Sequence, residues 1–279
     1  MLTPYVRANN KGELSIDSVG TFASVLGGSF PPLNKPILDI IQDLDNAVKS
    51  QHPTVSQGAL SNVHGDWYEW LLGIVAWNTF VTKSTPFIAF PMPNISRFDC
   101  ATLYTPELME MIGHLRQEVS VSGVGLISSN PDFVIIKDPD LAQISLPKPI
   151  TAITASTIAL LENAYSHYVG KCEFEKIRGY LATKSSLRPD RRLQIPHEGS
   201  LMKALYVHLQ TRLWITNPEG IKYYAASCKV GKSDISALRT VATHSITTVS
   251  SQPQAAVDHV FQVNSLQEAE DMFDIILRP

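Results

Sequence analysis

Short apolar runs bounded by prolines, glycines and polar turns alternate along this chain with segments of helical periodicity. That alternation limits the folds open to it more than any other feature. Strands are expected at Phe87–Met92, at Asp132–Ile136, at Arg178–Thr183, at Ile221–Ser227 and at Val241–Thr248, with a further apolar run at Leu126–Ser129. Helices are expected between them. Pro36–Lys49 places Ile37, Ile40, Ile41, Leu44 and Val48 on one face, and Asp66–Phe80 is strongly apolar. Thr105-Pro106-Glu107 opens another, with Leu108, Ile112, Leu115 and Val119 on its inner side. Thr151–Tyr168, Gln254–Val263 and Ser265–Leu277 complete the set, the last with a Ser265/Glu268 capping box. Strands interleaved with helices suit an α/β fold, a central mixed β-sheet flanked by helices. A chain of 279 residues is long enough for one such domain over 1–279, with 1–55 a candidate small subdomain.

The chemistry is concentrated in one segment. Lys184, Arg188, Asp190, Arg191, Arg192 and Glu198 fall within fifteen residues. A helix should begin at Pro189 or Asp190, since proline suits a first turn and aspartate a helix N-terminus. Leu193, Leu201, Leu205 and Leu209 carry it to about Trp214, and Pro196 predicts a kink or local break. Arg191 and Glu198, seven apart, then share a face. Arginine can be bidentate to guanine, and aspartate accepts from cytosine N4, so this helix start has the right groups for G·C pairs. Alone, the cluster reads better as an ordinary solvated helix start. Upstream, Asn130-Pro131-Asp132 reads as a bend that sets Asp132 at the head of a strand; alone, it is an ordinary turn.

Together, Asn130-Pro131-Asp132, Thr183-Lys184, the run Arg188 to Gln194 and the run His197 to Leu205 resemble the type IIF restriction endonucleases of the PD-(D/E)XK superfamily that cut around a central CCGG, in particular those cutting purine-CCGG-pyrimidine sites. Gly65 to Trp70, Tyr223 to Ala226 and Val241 to Ile246 support the resemblance, which spans most of the chain after about residue 55. It implies a restriction-endonuclease-like fold. It implies Asp132 as a metal ligand, Lys184 as the superfamily lysine and Glu198 as an acid displaced onto the following helix, fourteen residues after the lysine. The second acid of most of the superfamily lies two residues before the lysine. This group usually has serine there, and here the position is Ala182. Glu69 matches a further glutamate near such sites; on the sequence alone it reads as a surface residue, because unpaired burial of a carboxylate is unfavourable. Arg188, Asp190 and Arg191 match the readers of the CCGG core, with Arg192 beside them. The implied cofactor is Mg²⁺, held by Asp132, Glu198 and a backbone carbonyl such as that of Thr183, since Mg²⁺ takes few carboxylates and keeps several waters.

The implied activity is that of a type II restriction endonuclease, a Mg²⁺-dependent hydrolase of double-stranded DNA at a CCGG-centred palindrome leaving 5′-phosphate ends. A palindromic site needs a two-fold protein, so a homodimer is the minimum expected; the resemblance implies a homotetramer, with Trp214 at its interface. A DNA methyltransferase is expected as a genetic partner. A catalytically impaired DNA-binding protein of the same fold is the alternative, with Ala182 in its favour. A structure-specific repair or junction nuclease is a third reading, which the arginine-rich reader argues against. The net charge of −3 disfavours a nonspecific DNA binder, but a site-specific enzyme can confine its positive charge to the cleft. No apolar run reaches the ~18 residues of a membrane span. With no signal peptide at the N-terminus and three scattered cysteines, Cys100, Cys172 and Cys228, a bacterial cytoplasmic protein is expected. None of the histidines, His197 included, falls in a metal-ligand spacing.

Overall fold

A computed structural model describes residues 5–8, 14–94, 98–126, 130–140, 144–247 and 252–279. The chain starts with two short antiparallel strands, β1 (Val6–Ala8) and β2 (Leu14–Ile16), followed by the helices α1 (Ser18–Val25), α2 (Ile37–Gln51) and α3 (Gln57–Lys83). Then come β3 (Phe87–Pro91), α4 (Pro106–Val121), β4 (Phe133–Lys137), α5 (Ala155–Asn163), β5 (Ile177–Lys184), α6 (Pro189–Arg212), β6 (Lys222–Ser227), α7 (Lys232–Leu238), β7 (His259–Gln262) and α8 (Leu266–Ile276). Strands β3 to β7 form one five-stranded sheet in chain order, antiparallel from β3 to β5 and parallel from β5 to β7. This is the mixed sheet flanked by helices that the pattern predicts.

From Trp67 to Phe80 helix α3 is apolar nearly all round and is buried accordingly. Trp67, Tyr68, Leu71, Leu72, Ala76 and Trp77 are almost inaccessible to solvent, and the helix packs on β3 and α8. Ser56 caps its start by accepting from the Ala59 N–H at 3.2 Å. Helix α6 covers the other part of the sheet, against β6, with α7 and α4 beside it. Gly199 sets how closely α6 approaches. A methyl there would collide with the Ala256 carbonyl oxygen and lie 3.0 Å from Tyr223 Cδ1, so only glycine lets the helix seat.

The topology places the site. Strands β5 and β6 are parallel, so a crossover must join them, and α6 supplies it. The C-terminal end of β5, at Lys184, therefore lies close to the N-terminal end of α6. Strand β4 runs antiparallel to β5, with Phe133 paired to Leu181, so the residue before β4 lies beside the end of β5. That residue is Asp132, whose carbonyl oxygen accepts from Met92 N–H at 2.8 Å.

Several expectations are corrected. Val241–Thr248 is not a strand: Val241 makes one bridge to Ala255, Thr243–Ile246 is a 3₁₀ turn, and Thr248 lies outside the described residues. Gln254–Val263 is not a helix but contains β7; Val257, Val260 and Val263 imitate a helical period, while β-branched residues favour extended backbone. Helix α5 begins only at Ala155 and passes into a 3₁₀ turn at Ala164–Tyr168. Helix α6 runs unbroken through the buried Pro196 and ends at Arg212, and Leu193 on it is 78% exposed rather than part of the core. Glu268 returns its carboxylate to the N–H of Asn264 rather than to that of Ser265. Leu126 is in no strand, and residues 127–129 lie outside the described residues. All three cysteines are buried free thiols, as expected. Among the described residues no helix is long and apolar enough to cross a membrane.

Candidate active site

Asp132 and Lys184 form the centre. The Lys184 ammonium lies 2.8 Å from Oδ2 and 3.0 Å from Oδ1 of Asp132. The Thr183 N–H donates to Oδ2 at 2.6 Å and its hydroxyl at 3.3 Å, so Asp132 is held against the end of β5 by both main chain and side chain. The pair is only slightly exposed. Burial works against the charged form of Lys184, but Asp132, with Glu69 and Glu198 behind it, outweighs burial and holds the ammonium above the ordinary lysine range. The fields of all three acids thus meet at Lys184.

Glu198 projects from the third turn of α6 and is buried. Tyr223 OH, on the adjacent β6, donates to its Oε2 at 3.0 Å, and Gln194 Nε2 donates to its Oε1 at 2.7 Å. Burial, then the charge of Glu198, pushes the Tyr223 phenol well above its usual range, so it remains a donor. Glu69 approaches from α3. Its surface reading is wrong: it is 9% exposed, and burial, reinforced by Asp132, raises its carboxyl well above the usual carboxylate range despite Lys184. It lines a cavity of about 380 Å³ with Asp66, Glu162, Trp70 and Pro91. Burial raises the carboxyls of Asp66 and Glu162 too, and Trp70 Nε1 donates to Glu162 at 2.8 Å. Ala182, buried and paired with Ala225 on β6, adds no polar atom.

Arg188 occupies the N-cap position of α6, and Asp190 lies in the first turn; both are exposed. Arg191 donates to Gln194 Oε1 and lies 3.6 Å from Asp190. Arg192 stands apart. Its Nε lies 2.5 Å from Asp234 Oδ1, at the distance but not the angle of a hydrogen bond, which braces α6 against α7. His197 is exposed, and His64 pairs with Asp45. Trp214 is 89% exposed with a left-handed backbone, φ 57°, far from the cluster in sequence.

The structure therefore brings together Asp132, Thr183, Lys184, Glu198 and Glu69, with Arg188, Asp190 and Arg191 on the helix that carries Glu198. Gln194, Tyr223, Asp66 and Glu162 have no role in the sequence reading. For Gln194 the signal is its spacing, three residues after Arg191 and four before Glu198 on one helix. Nothing in the sequence reveals the inward aim of Tyr223, which depends on β6 lying under α6. Among the described residues, no three His, Cys, Asp or Glu side chains converge as a ready-made metal cage.

The chain matches, over residues 33–279, the family model of the Cfr10I/Bse634I restriction endonucleases. The type II restriction enzyme Cfr10I of Citrobacter freundii is 46% identical to it over 227 residues, 80% of each chain. Among solved structures, the Bse634I restriction endonuclease superposes with a TM-score of 0.89 at 32% identity, covering 98% of this chain and 97% of that one. The type IIF enzyme Bse634I with cognate DNA superposes at 0.88 and 31% identity with the same coverage. The likeness thus begins well before residue 55, where the sequence motifs first carry it.

Proposed function

Because the chain belongs to the Cfr10I/Bse634I restriction endonuclease family and is a type II restriction endonuclease, we propose that it cuts double-stranded DNA at a CCGG-centred palindrome, purine-CCGG-pyrimidine, with Mg²⁺ and leaving 5′-phosphate and 3′-hydroxyl ends. The observation that carries this is the closeness of Lys184 and Asp132, at the end of β5, to a helix that bears both Glu198 and the Arg188-Asp190-Arg191 triplet. One of the cutting groups, Glu198, shares a helix with the reading groups.

Lys184 stays charged near neutrality, so its role is that of a cation, not a base: Nζ holds a non-bridging phosphate oxygen and orients the attacking water. Taking the phosphate releases Asp132 from its ion pair. Asp132, Glu198 and the Thr183 carbonyl would hold the metal. The donor set fits Mg²⁺, since all are hard oxygens and the ion keeps several waters. When bound, Mg²⁺ supplies charge neutralisation at the phosphate and a lowered pKa for its water. Glu69 completes the set as a buried acid with raised proton affinity. Arg188 and Arg191 are assigned to guanine O6 and N7, Asp190 to cytosine N4. Arg192, committed to Asp234, is assigned to holding α6 in place beside the backbone. The α6 N-terminus favours a phosphate. The two-fold site calls for a dimer at least, and a methyltransferase protecting the same site is the expected genetic partner.

Ala182 favours a second reading, a site-specific binder that cuts poorly. The test uses three DNAs, with Mg²⁺ or with EDTA: a linear duplex with one purine-CCGG-pyrimidine site, the same duplex with a scrambled centre, and a branched junction. Cutting of the first alone, and only with Mg²⁺, is expected. Binding of the first without cutting would favour the impaired reading; cutting of the junction would contradict both.

A further inference from the structure

Gln194 sits on α6 between a half-buried reader and a buried acid. Arg191 Nη1 donates to its Oε1, and its Nε2 donates to Glu198 Oε1 at 2.7 Å. The amide has no choice of orientation, since a guanidinium only donates and a carboxylate only accepts. An uncharged amide offers an acceptor and a donor on separate atoms, and glutamine has the reach for positions three residues back and four residues on. The other Glu198 oxygen is taken by Tyr223 OH at 3.0 Å, so among the described residues Gln194 is this carboxylate's partner on its own helix. The ladder therefore runs unbroken from the solvent-facing end of the helix to the acid beside Lys184.

We infer that Gln194 is a positioning residue that couples base reading by Arg191 to the setting of Glu198. When Arg191 turns to a guanine, the amide oxygen loses its donor, and the amide nitrogen passes that change to Glu198 Oε1. Without Gln194, the acid keeps Tyr223 but loses the partner that registers the reader. The inference rests on the roles proposed above for Arg191 and Glu198.

The test uses the full-length protein and a duplex with one purine-CCGG-pyrimidine site. Gln194→Leu keeps the volume, removes both hydrogen bonds and lies on an exposed position, so the fold should survive. Equilibrium binding in EDTA is expected to stay within about threefold of the parent, while the single-turnover cutting rate with Mg²⁺ falls at least about tenfold. In the Arg191→Lys background the same substitution is expected to lose little more, because the coupling is already broken. Parallel losses of binding and rate, a fall in Tm that accompanies them, or losses that simply multiply in the double variant would each overturn the coupling. Full cutting activity in Glu198→Gln would instead show that the assignment of the acid, and with it the basis of the coupling, is wrong.

Discussion

Lys184 and Glu69 show opposite consequences of burial beside the same aspartate. For Lys184 the pairing wins and the ammonium is held above its ordinary range. Its stabilising contribution is fully present below the ordinary lysine pKa and is lost only as pH rises through the raised folded value, in strongly alkaline solution. From pH 6 to 9 it is constant. Lys184→Met should therefore lower stability across that range by about 1–3 kcal/mol, because Asp132 keeps its charge and loses its cation. Adding Asp132→Asn should recover part of the loss, measured by urea unfolding. For Glu69 burial wins, and the folded state binds the proton more tightly than the unfolded one. Its stability is present below the ordinary carboxylate pKa of about 4.3 and is lost as pH rises through the raised folded value. Glu69→Gln should leave Tm nearly unchanged at pH 4 and raise it at pH 8, by about 2–4 °C per kcal/mol recovered, while cutting falls. An unchanged Tm at pH 8 would show that the carboxyl is not desolvated. The sequence could not reveal this, because the burial of one polar residue on an apolar helix depends on what packs over it.

At the scale of elements, β5 and α6 were legible because each carries its own local signal. A proline-aspartate start, a lysine at a strand end and a run of leucines need no tertiary context. Strand β7 and the 3₁₀ turn at Thr243–Ile246 lack such signals. The three valines before Asn264 are spaced as on a helix, and pairing with β6 overrides that spacing. Leu193 shows the reverse error: its spacing fits the inner face of α6, but the side chain stands in solvent. Gly199 ties element packing to the site, since it sets the depth of α6 over β6 and hence the Glu198–Tyr223 bond. Gly199→Ala should destabilise the protein by about 1–3 kcal/mol as the helix is pushed out, and the cutting rate should fall more than DNA binding. A variant with parental Tm and parental rate would show that the helix is free to shift.

For the whole molecule, the order of strands puts the reader and the acids at one end of the central strands of the sheet, while Trp214 lies just past the far end of α6. Its indole is 89% exposed, on a residue with left-handed backbone, and offers a large apolar face. If it packs against another copy, Trp214→Ala should lower the assembly mass by half in sedimentation equilibrium without lowering cutting at a single site below that of the dimer. An unchanged mass would place the interface elsewhere. The sequence showed an aromatic at a helix end but could not show its exposure. The most direct test of the proposed activity is digestion of a plasmid of known sequence with purified protein, with Mg²⁺ and with EDTA, followed by sequencing of every end. Discrete Mg²⁺-dependent cuts confined to CCGG-centred palindromes, each end bearing a 5′-phosphate, are expected. Cuts outside such sites, or cutting that persists in EDTA, would contradict the roles given to the Arg188–Arg191 segment and to the acids around Lys184.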